Sequence, residues 1–152
     1  MDSLDYNILK ELMCNGRSTW AELAIKLGKS SPAIADRVRR LEEKGFIKGY
    51  AAIIDSELVG YQMTAFISLS IDKVKDRNLF LERISVLPEV QECHHVAGNE
   101  DFLLKIRCQG TNDLDRIISQ ELRTLPGVFK TRTIIVLNTH KDTPIIPITN
   151  NE

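Results

Sequence analysis

The residues best suited to chemistry crowd into "CHHVAGNEDFLLK", residues 93–105, which holds Cys93, His94, His95, Asn99, Glu100 and Asp101. Side chains of these types could ligate a metal, pair as acid and base, line a small-molecule pocket, or simply turn between two strands. Adjacent residues on a strand point to opposite faces, so His94 and His95 cannot easily share one metal. The chain has no HExxH helix and no clustered Cys/His set, and no nucleophile, base and orienting group fall together. A metal-binding or enzymatic domain is therefore the last of the readings. No metal, cofactor or catalytic residue is expected.

A second chemically loaded stretch is "KSSPAIADRVRRLEEKG", residues 29–45. Ile34, Val38 and Leu41 recur at helical spacing and form one apolar stripe, which leaves Pro32, Asp36, Arg39, Arg40 and Glu43 facing away from it. Ser31 before Pro32 can cap the helix, although Ser30 can serve instead. Residues 26–50 carry seven cations (Lys26, Lys29, Arg37, Arg39, Arg40, Lys44, Lys48) and three anions (Asp36, Glu42, Glu43). That local +4 leaves −5 for the remainder of a chain whose net charge is −1. A general attraction to polyanions is excluded, but a local basic patch is not. Asp36 is the discordant residue: it would repel phosphates, yet a carboxylate can accept from cytosine N4 in the major groove. The plainer alternative is a solvated helix face with ion pairs such as Arg39–Glu43.

The elements around this helix weigh against the plainer alternative. Ser3 can cap a first helix with Leu4, Ile8, Leu9 and Leu12 inward, stopped by "CNGR". "TWAE" at 19–22 is a capping box opening a short helix with Leu23, Ala24 and Leu27 inward, ended by Gly28. "FIKGYAAIID" follows the third helix as a ribbon, with a turn or bulge at Gly49. Helix, short helix, break, polar-faced helix and ribbon make a winged helix-turn-helix pattern.

From Tyr61 the periodicity changes. "MTAFISLSI" alternates, with Met63, Ala65, Ile67, Leu69 and Ile71 on one face, as a half-buried strand does. "KDRNLFLERISVL", residues 75–87, reads as a helix with Phe80, Ile84 and Leu87 inward, and "VQECHHVA" is extended again. "FLLKIRC" places Phe102, Leu104, Ile106 and Cys108 together. "TNDLDRIISQELRTL" reads as a capped helix with Leu114, Ile117, Ile118 and Leu122 inward, and "VFKTRTIIVL" as a last strand. "VLPEVQE" and "TLPGVFK" echo each other, so two βαβ halves give a ferredoxin-like βαββαβ domain: a four-stranded antiparallel sheet with two helices on one face. Leu103, Phe129, Ile135 and Leu137 are expected on or near the uncovered face, to be buried against another subunit. In this frame "CHHVAGNEDFLLK" becomes a hairpin connection with Gly98 and Asn99 at its turn. A residue without Cβ lets a ligand approach the backbone closely, and Asp101 can take a ligand ammonium or orient the turn.

The fold class is thus α+β, with a DNA-binding unit and hinge over residues 1–60, a sheet unit over 61–140 and a tail over 141–152. Two prolines around "II" make the tail unsuited to a central strand. It is either an arm on a neighbour, favoured by the cost of leaving Ile145, Ile146 and Ile148 in water, or a disordered end. Cys14, Cys93 and Cys108 show no CxxC spacing and are expected reduced and mostly buried. "MDSLDYNILK" lacks the pattern of a signal peptide, and no apolar run is long enough to span a bilayer, so a cytoplasmic location and no membrane partner are expected.

Taken together, "LDYNILKELMCNGRSTWAELAIKLGKS", "RVRRLEEKGFIKGYAAIID", "LVGY", "LPEV", "AGNEDFLLKI" and "LPGV" ahead of "TRTIIVL" resemble the Lrp/AsnC (leucine-responsive/asparagine-responsive) transcriptional regulators over roughly residues 2–140. The resemblance implies a non-enzymatic transcriptional regulator that binds double-stranded DNA. It also implies homodimers through the sheet domain, assembly to octamers, and an amino acid or related small molecule bound between dimers as effector. Its DNA-contacting positions match Ser31, Pro32, Ala33, Asp36, Arg37 and Arg40, to which the outward position of Arg39 is added. Its effector turn matches Gly98, Asn99 and Asp101, with Thr131 and Thr133 on the last strand available to an adjoining subunit. A regulator of the same fold with a vestigial pocket is the alternative.

Overall fold

The computed structural model describes residues 1–72 and 76–149, which fall into two compact units. One comprises Met1–Ile53 with the segment beginning at Lys141, and the other comprises Ile54–His140.

The first unit contains three helices, α1 (Ser3–Cys14), α2 (Trp20–Leu27) and α3 (Ser31–Glu43). Asp2, not Ser3, caps α1, because Asp2 and Asp5 form a reciprocal box: each carboxylate accepts the other's amide at 3.0 Å. A carboxylate at this position also meets the positive end of the helix dipole. Thr19 and Glu22 form the expected box on α2, with the Glu22 amide donating to Thr19 Oγ1 at 3.2 Å. Gly28 ends α2 at φ +64°, a conformation that a residue with a Cβ rarely adopts, and three residues later α3 begins. Of the two candidate serines it is Ser30 that caps α3, accepting the Ala33 amide at 3.4 Å. Ile8, Leu12, Leu23, Ala24, Ile34, Val38 and Leu41 bury together as one core.

The expected ribbon is not a paired one. Residues 48–55 run without ladder hydrogen bonds, because this stretch finds no second strand among the described residues of its own chain. Ile53 and Ile54 are left exposed. The segment 141–149 has neither helix nor strand, and Ile145 and Ile146 are exposed.

The second unit runs β1 (Met63–Ile71), α4 (Arg77–Val86), β2 (Val90–His95), β3 (Phe102–Cys108), α5 (Thr111–Arg116) and β4 (Val128–Ile135). The proposed start of the fourth helix at Lys75 lies outside the described residues. The strands form one antiparallel sheet in the order β2-β3-β1-β4. Ala65, Ile67 and Leu69 of β1 and Phe102, Leu104, Ile106 and Cys108 of β3 pack with Phe80, Ile84, Leu114, Ile117 and Leu122. The Phe80 and Phe102 rings lie 4.9 Å apart at this core's centre.

Three details depart from the sequence expectation. No side chain caps α5; its first turn is instead tied by Asp113, which accepts the Gln109 amide at 3.2 Å. Ile117–Leu122 continues α5 as a π-helix, with the Arg123 amide donating to the Ile118 carbonyl at 2.9 Å. The wider turn lets Ile117 and Leu122, five residues apart, both face the sheet, while Ile118 is half-buried. Finally, Ile135 pairs with Ala65 and so lies on the helix-bearing side, whereas Ile134, opposite Phe66, points to the open face with Leu103. A strand's period of two leaves no other choice.

Candidate DNA-reading helix and effector turn

In α3 the stripe Ile34, Val38 and Leu41 is buried, Pro32, Ala33, Arg39 and Arg40 are exposed, and Ser31, Asp36 and Arg37 are half-buried. The three arginines divide into two sets. Arg37 turns toward α1, where Nη1 donates to Asp2 Oδ2 at 2.5 Å and to Asp5 Oδ1 at 3.0 Å. The Asp5 amide, joined by Arg37, holds the Asp2 carboxyl below its ordinary value, and the two carboxylates raise Arg37 above its own. This guanidinium fastens the two helices together through Nη1, with its side chain a third exposed.

Arg39 and Arg40 remain outward, both bonded to Asp36. Arg39 Nη2 lies 2.5 Å from Asp36 Oδ1, and Arg40 Nη2 lies 2.8 Å from Oδ2. The expected Arg39–Glu43 pair is looser, at 4.0 Å. Asp36 Oδ1 thus accepts from Arg39 and Oδ2 is ion-paired with Arg40, so the carboxylate faces cations of its own helix. Pro32 has no amide, and the Ala33 amide is held by Ser30, so the helix N-terminus offers few donors to a phosphate.

In the second unit the hairpin connection 96–101 is pinned at its base. The Val96 amide donates to the Asp101 carbonyl at 2.9 Å, and the Asp101 amide donates to Leu69 O at 3.0 Å. Asp101 Oδ2 accepts the Ile71 amide at 2.8 Å, which ties the connection to the end of β1. Glu100 meets Lys130 of β4 at 3.4 Å. The tip is different: Gly98 and Asn99 are exposed, and a Cβ built on Gly98 would meet nothing within 4 Å. Gly98 does not have a positive φ either. Neither the backbone nor a neighbour within the chain requires glycine there.

Thr131 pairs with Leu69, and Thr133 with Ile67. Leu69 is the residue whose carbonyl receives the Asp101 amide, so Asp101 and Thr131 flank the same stretch of β1. Thr131 is half-buried and Thr133 exposed.

One residue the sequence did not single out joins this site. Arg77, at the start of α4, lies 3.9 Å from Asp101 Oδ1 and over the Phe102 ring, 5.6 Å from its centroid. Its Nε is buried without a hydrogen-bond partner among the described residues. Nothing in its local sequence pattern signals this, because the contact spans a strand, a helix and a turn.

His94 and His95 lie on opposite faces. His94 meets Glu92 at 3.1 Å on the open face, and the His95 ring packs 5.2 Å from Phe102. Among the described residues no group of His, Cys, Asp and Glu is placed to hold a metal ion. The cysteines are all free; Cys108 is buried and Cys93 half-buried, but Cys14, at the end of α1, is exposed. No described helix is long and apolar enough to cross a membrane.

A trihelical helix-turn-helix unit with outward arginines, carried in one chain with a ferredoxin-like sheet unit, defines a two-part DNA-binding regulator. Comparison with known proteins makes the class specific. The Lrp/AsnC ligand binding domain family matches residues 64–146, and the winged helix-turn-helix DNA-binding family matches residues 1–48. The HTH-type transcriptional regulator FL11 of Pyrococcus horikoshii is 34% identical over 148 residues, covering 97% of each chain. The L-methionine complex of a Neisseria meningitidis transcriptional regulator superposes with a TM-score of 0.93 at 31% identity, covering 97% of this chain and 96% of that one. A feast or famine regulatory protein from Mycobacterium tuberculosis, also complexed with L-methionine, gives 0.88 at 34% identity, covering 95% and 97%. The chain belongs to the Lrp/AsnC family of transcriptional regulators: it is a DNA-binding regulator with a ligand-binding domain, and not an enzyme.

Proposed function

We propose that this chain is a sequence-specific regulator that works as a homodimer in the cytoplasm, and that dimers assemble further, to octamers, around an amino-acid effector. Residues 1–60 carry DNA binding and the hinge, 61–140 effector binding and assembly, and 141–152 a tail. α3 enters the major groove with Ser31, Pro32, Ala33, Asp36, Arg39 and Arg40 toward the DNA, and a dimer presents two such helices to half-sites about one helical turn apart. Arg37 supports this surface from behind by fixing α3 to α1.

The observation that carries the effector reading is the contrast within residues 96–101: a base fixed by Asp101 and a bare, unconstrained tip at Gly98 and Asn99. Exposed backbone amides at such a tip suit a carboxylate, and the unpartnered Arg77 Nε lies beside the anchor. The tip alone is open, so a neighbouring dimer has to complete the site; Thr131 and Thr133 are the residues this reading takes from that neighbour. Relatives solved with L-methionine support an amino acid as the ligand class.

The test is a titration of the full chain against its own upstream DNA at several salt concentrations, with and without each amino acid, alongside sizing and thermal shift. Affinity is expected to fall steeply with salt, by a log–log slope of about −0.9 per phosphate neutralised. At least one amino acid is expected to raise the melting temperature and change assembly. Salt-insensitive or absent DNA binding would refute the first half. Silence across the whole panel would favour a vestigial pocket with output set by assembly alone.

A further inference from the structure

Asp36 stands in the middle of a surface proposed to meet a polyanion, where an unpaired carboxylate would only weaken binding. Its side chain is less exposed (37%) than those of Arg39 (66%) and Arg40 (60%), and its two oxygens take one guanidinium each, at 2.5 and 2.8 Å. We infer that Asp36 is a specificity-determining residue, which holds Arg39 and Arg40 in position to read guanine rather than to grip phosphate. The inference rests on the proposed docking of α3 in the major groove.

Three considerations converge on it. The first is direction. Asp36 lies one turn N-terminal to both arginines, so the pairs draw the guanidinium groups back toward the start of the helix. In helix-turn-helix docking it is the N-terminal part of the recognition helix that approaches base edges, while outlying cations meet the backbone.

The second is hydrogen-bond capacity. A guanidinium has five N–H donors in a rigid fork; Arg39 donates from Nη2 to Asp36, and Arg40 is held to Asp36 as an ion pair through Nη2. The N–H groups not turned to Asp36 suit the O6 and N7 acceptors of guanine, the pairing that fits a planar fork, with Arg39 Nε only loosely paired with Glu43 at 4.0 Å. Holding one edge fixes the plane of the other, so less side-chain freedom is lost on binding.

The third is charge. Asp36 cancels one of the two cations and so reduces the sequence-independent attraction to DNA. A surface built only to grip phosphates gains nothing from that loss, whereas a surface built to discriminate does. Arg37 does not blur the assignment, because it is already held by Asp2 and Asp5.

The experiment is selection from a random-sequence duplex pool with the full-length wild type, Asp36→Ala, Arg39→Lys and Arg40→Lys, followed by salt titrations on a selected duplex and on poly(dI-dC). The wild type is expected to enrich guanine at one or two positions per half-site, and 7-deazaguanine there is expected to weaken binding. Asp36→Ala is expected to bind poly(dI-dC) more tightly with a steeper salt slope, while its preference for those guanines falls roughly tenfold or more. At least one lysine variant is expected to lose the guanine preference but keep the wild-type salt slope, since lysine keeps the charge and loses the fork. The inference is overturned if Asp36→Ala keeps the guanine preference, or if the wild type binds with salt dependence but without a preferred guanine. Absence of salt-dependent binding by the wild type would instead remove the docking reading, and this inference with it.

Discussion

Asp101 offers the sharpest separation of architecture from recognition. Its Oδ2 accepts the Ile71 amide at 2.8 Å, while Oδ1 is only loosely paired with Arg77 at 3.9 Å. Asp101→Ala removes the acceptor and frees the connection from β1. A hydrogen bond to a charged group contributes about 1.5–3 kcal/mol, and the side chain is about a third exposed, so a loss of about 1–2 kcal/mol is expected. For a unit the size of Ile54–His140 this corresponds to a melting temperature lower by about 5–10 °C. Asp101→Asn keeps an oxygen where the Ile71 amide can reach it and removes only the charge, so its stability should stay within about 0.5 kcal/mol of wild type. Thermal denaturation of the three proteins, alone and with the amino acid giving the largest wild-type shift, reads both effects. Asp101→Asn is expected to keep the ligand response and Asp101→Ala to lose it. If Asp101→Asn folds like wild type but no longer responds to ligand, the carboxylate charge takes the ligand ammonium and the anchoring role is not the functional one. If Asp101→Asn is as unstable as Asp101→Ala, the bond to Ile71 is not what holds the connection.

Gly127→Ala is expected to destabilise by about 2–4 kcal/mol in urea: φ is +82°, and a Cβ would lie 2.9 Å from Asp76 and 3.0 Å from Ile71. A loss below about 1 kcal/mol would contradict this. Gly98→Ala, with an open tip and no positive φ, should melt like wild type yet lose the amino-acid shift; an unchanged shift would place the ligand elsewhere. Arg37→Ala should lower the stability of the helical unit and leave the salt slope of DNA binding unchanged, whereas a slope reduced by about 1 would make Arg37 a phosphate contact. Burial, followed by the Glu42 hydrogen bond at 2.9 Å, raises the Tyr50 hydroxyl to about 12. Because the folded value lies above the ordinary 10.0, the stabilisation is intact below pH 10 and is lost as pH rises from there toward 12. The phenolate absorbance of wild type minus Tyr50→Phe should rise only in that upper range.

The parts that were legible in the sequence are those governed by a local period. The strand "MTAFISLSI" repeats every two residues and buries Ala65, Ile67, Leu69 and Ile71 as read, although Met63 is half-buried and Ser70 is buried too, and the stripe Ile34, Val38 and Leu41 fixes which side of α3 is outward. The separation of His94 from His95 followed from the same pleat. Caps were legible only to within a residue, because Asp2 stands beside Ser3 and Ser30 beside Ser31, and only the reciprocal bonds decide. Contacts that cross the chain were not legible. Arg37 and Asp2 are 35 residues apart, and Asp101 and Ile71 are 30 apart. The π turn was hidden as well, since Ile118 fits a regular helical stripe equally well until the sheet demands both Ile117 and Leu122.

These hidden contacts share a physical logic across the two units. In each, one half-buried polar residue braces the framework: Arg37 on Asp2 and Asp5, and Asp101 on the Ile71 amide. The groups left outward then stand on a fixed base, the arginines beside Asp36 in one unit and the bare Gly98–Asn99 tip in the other. A bidentate fork and a backbone cradle both lose discrimination if misplaced by about an ångström. The brace positions therefore bear on precision more than on affinity. Removing the Arg37 brace should blur which base is preferred before it abolishes binding, because the outward groups and their charge remain.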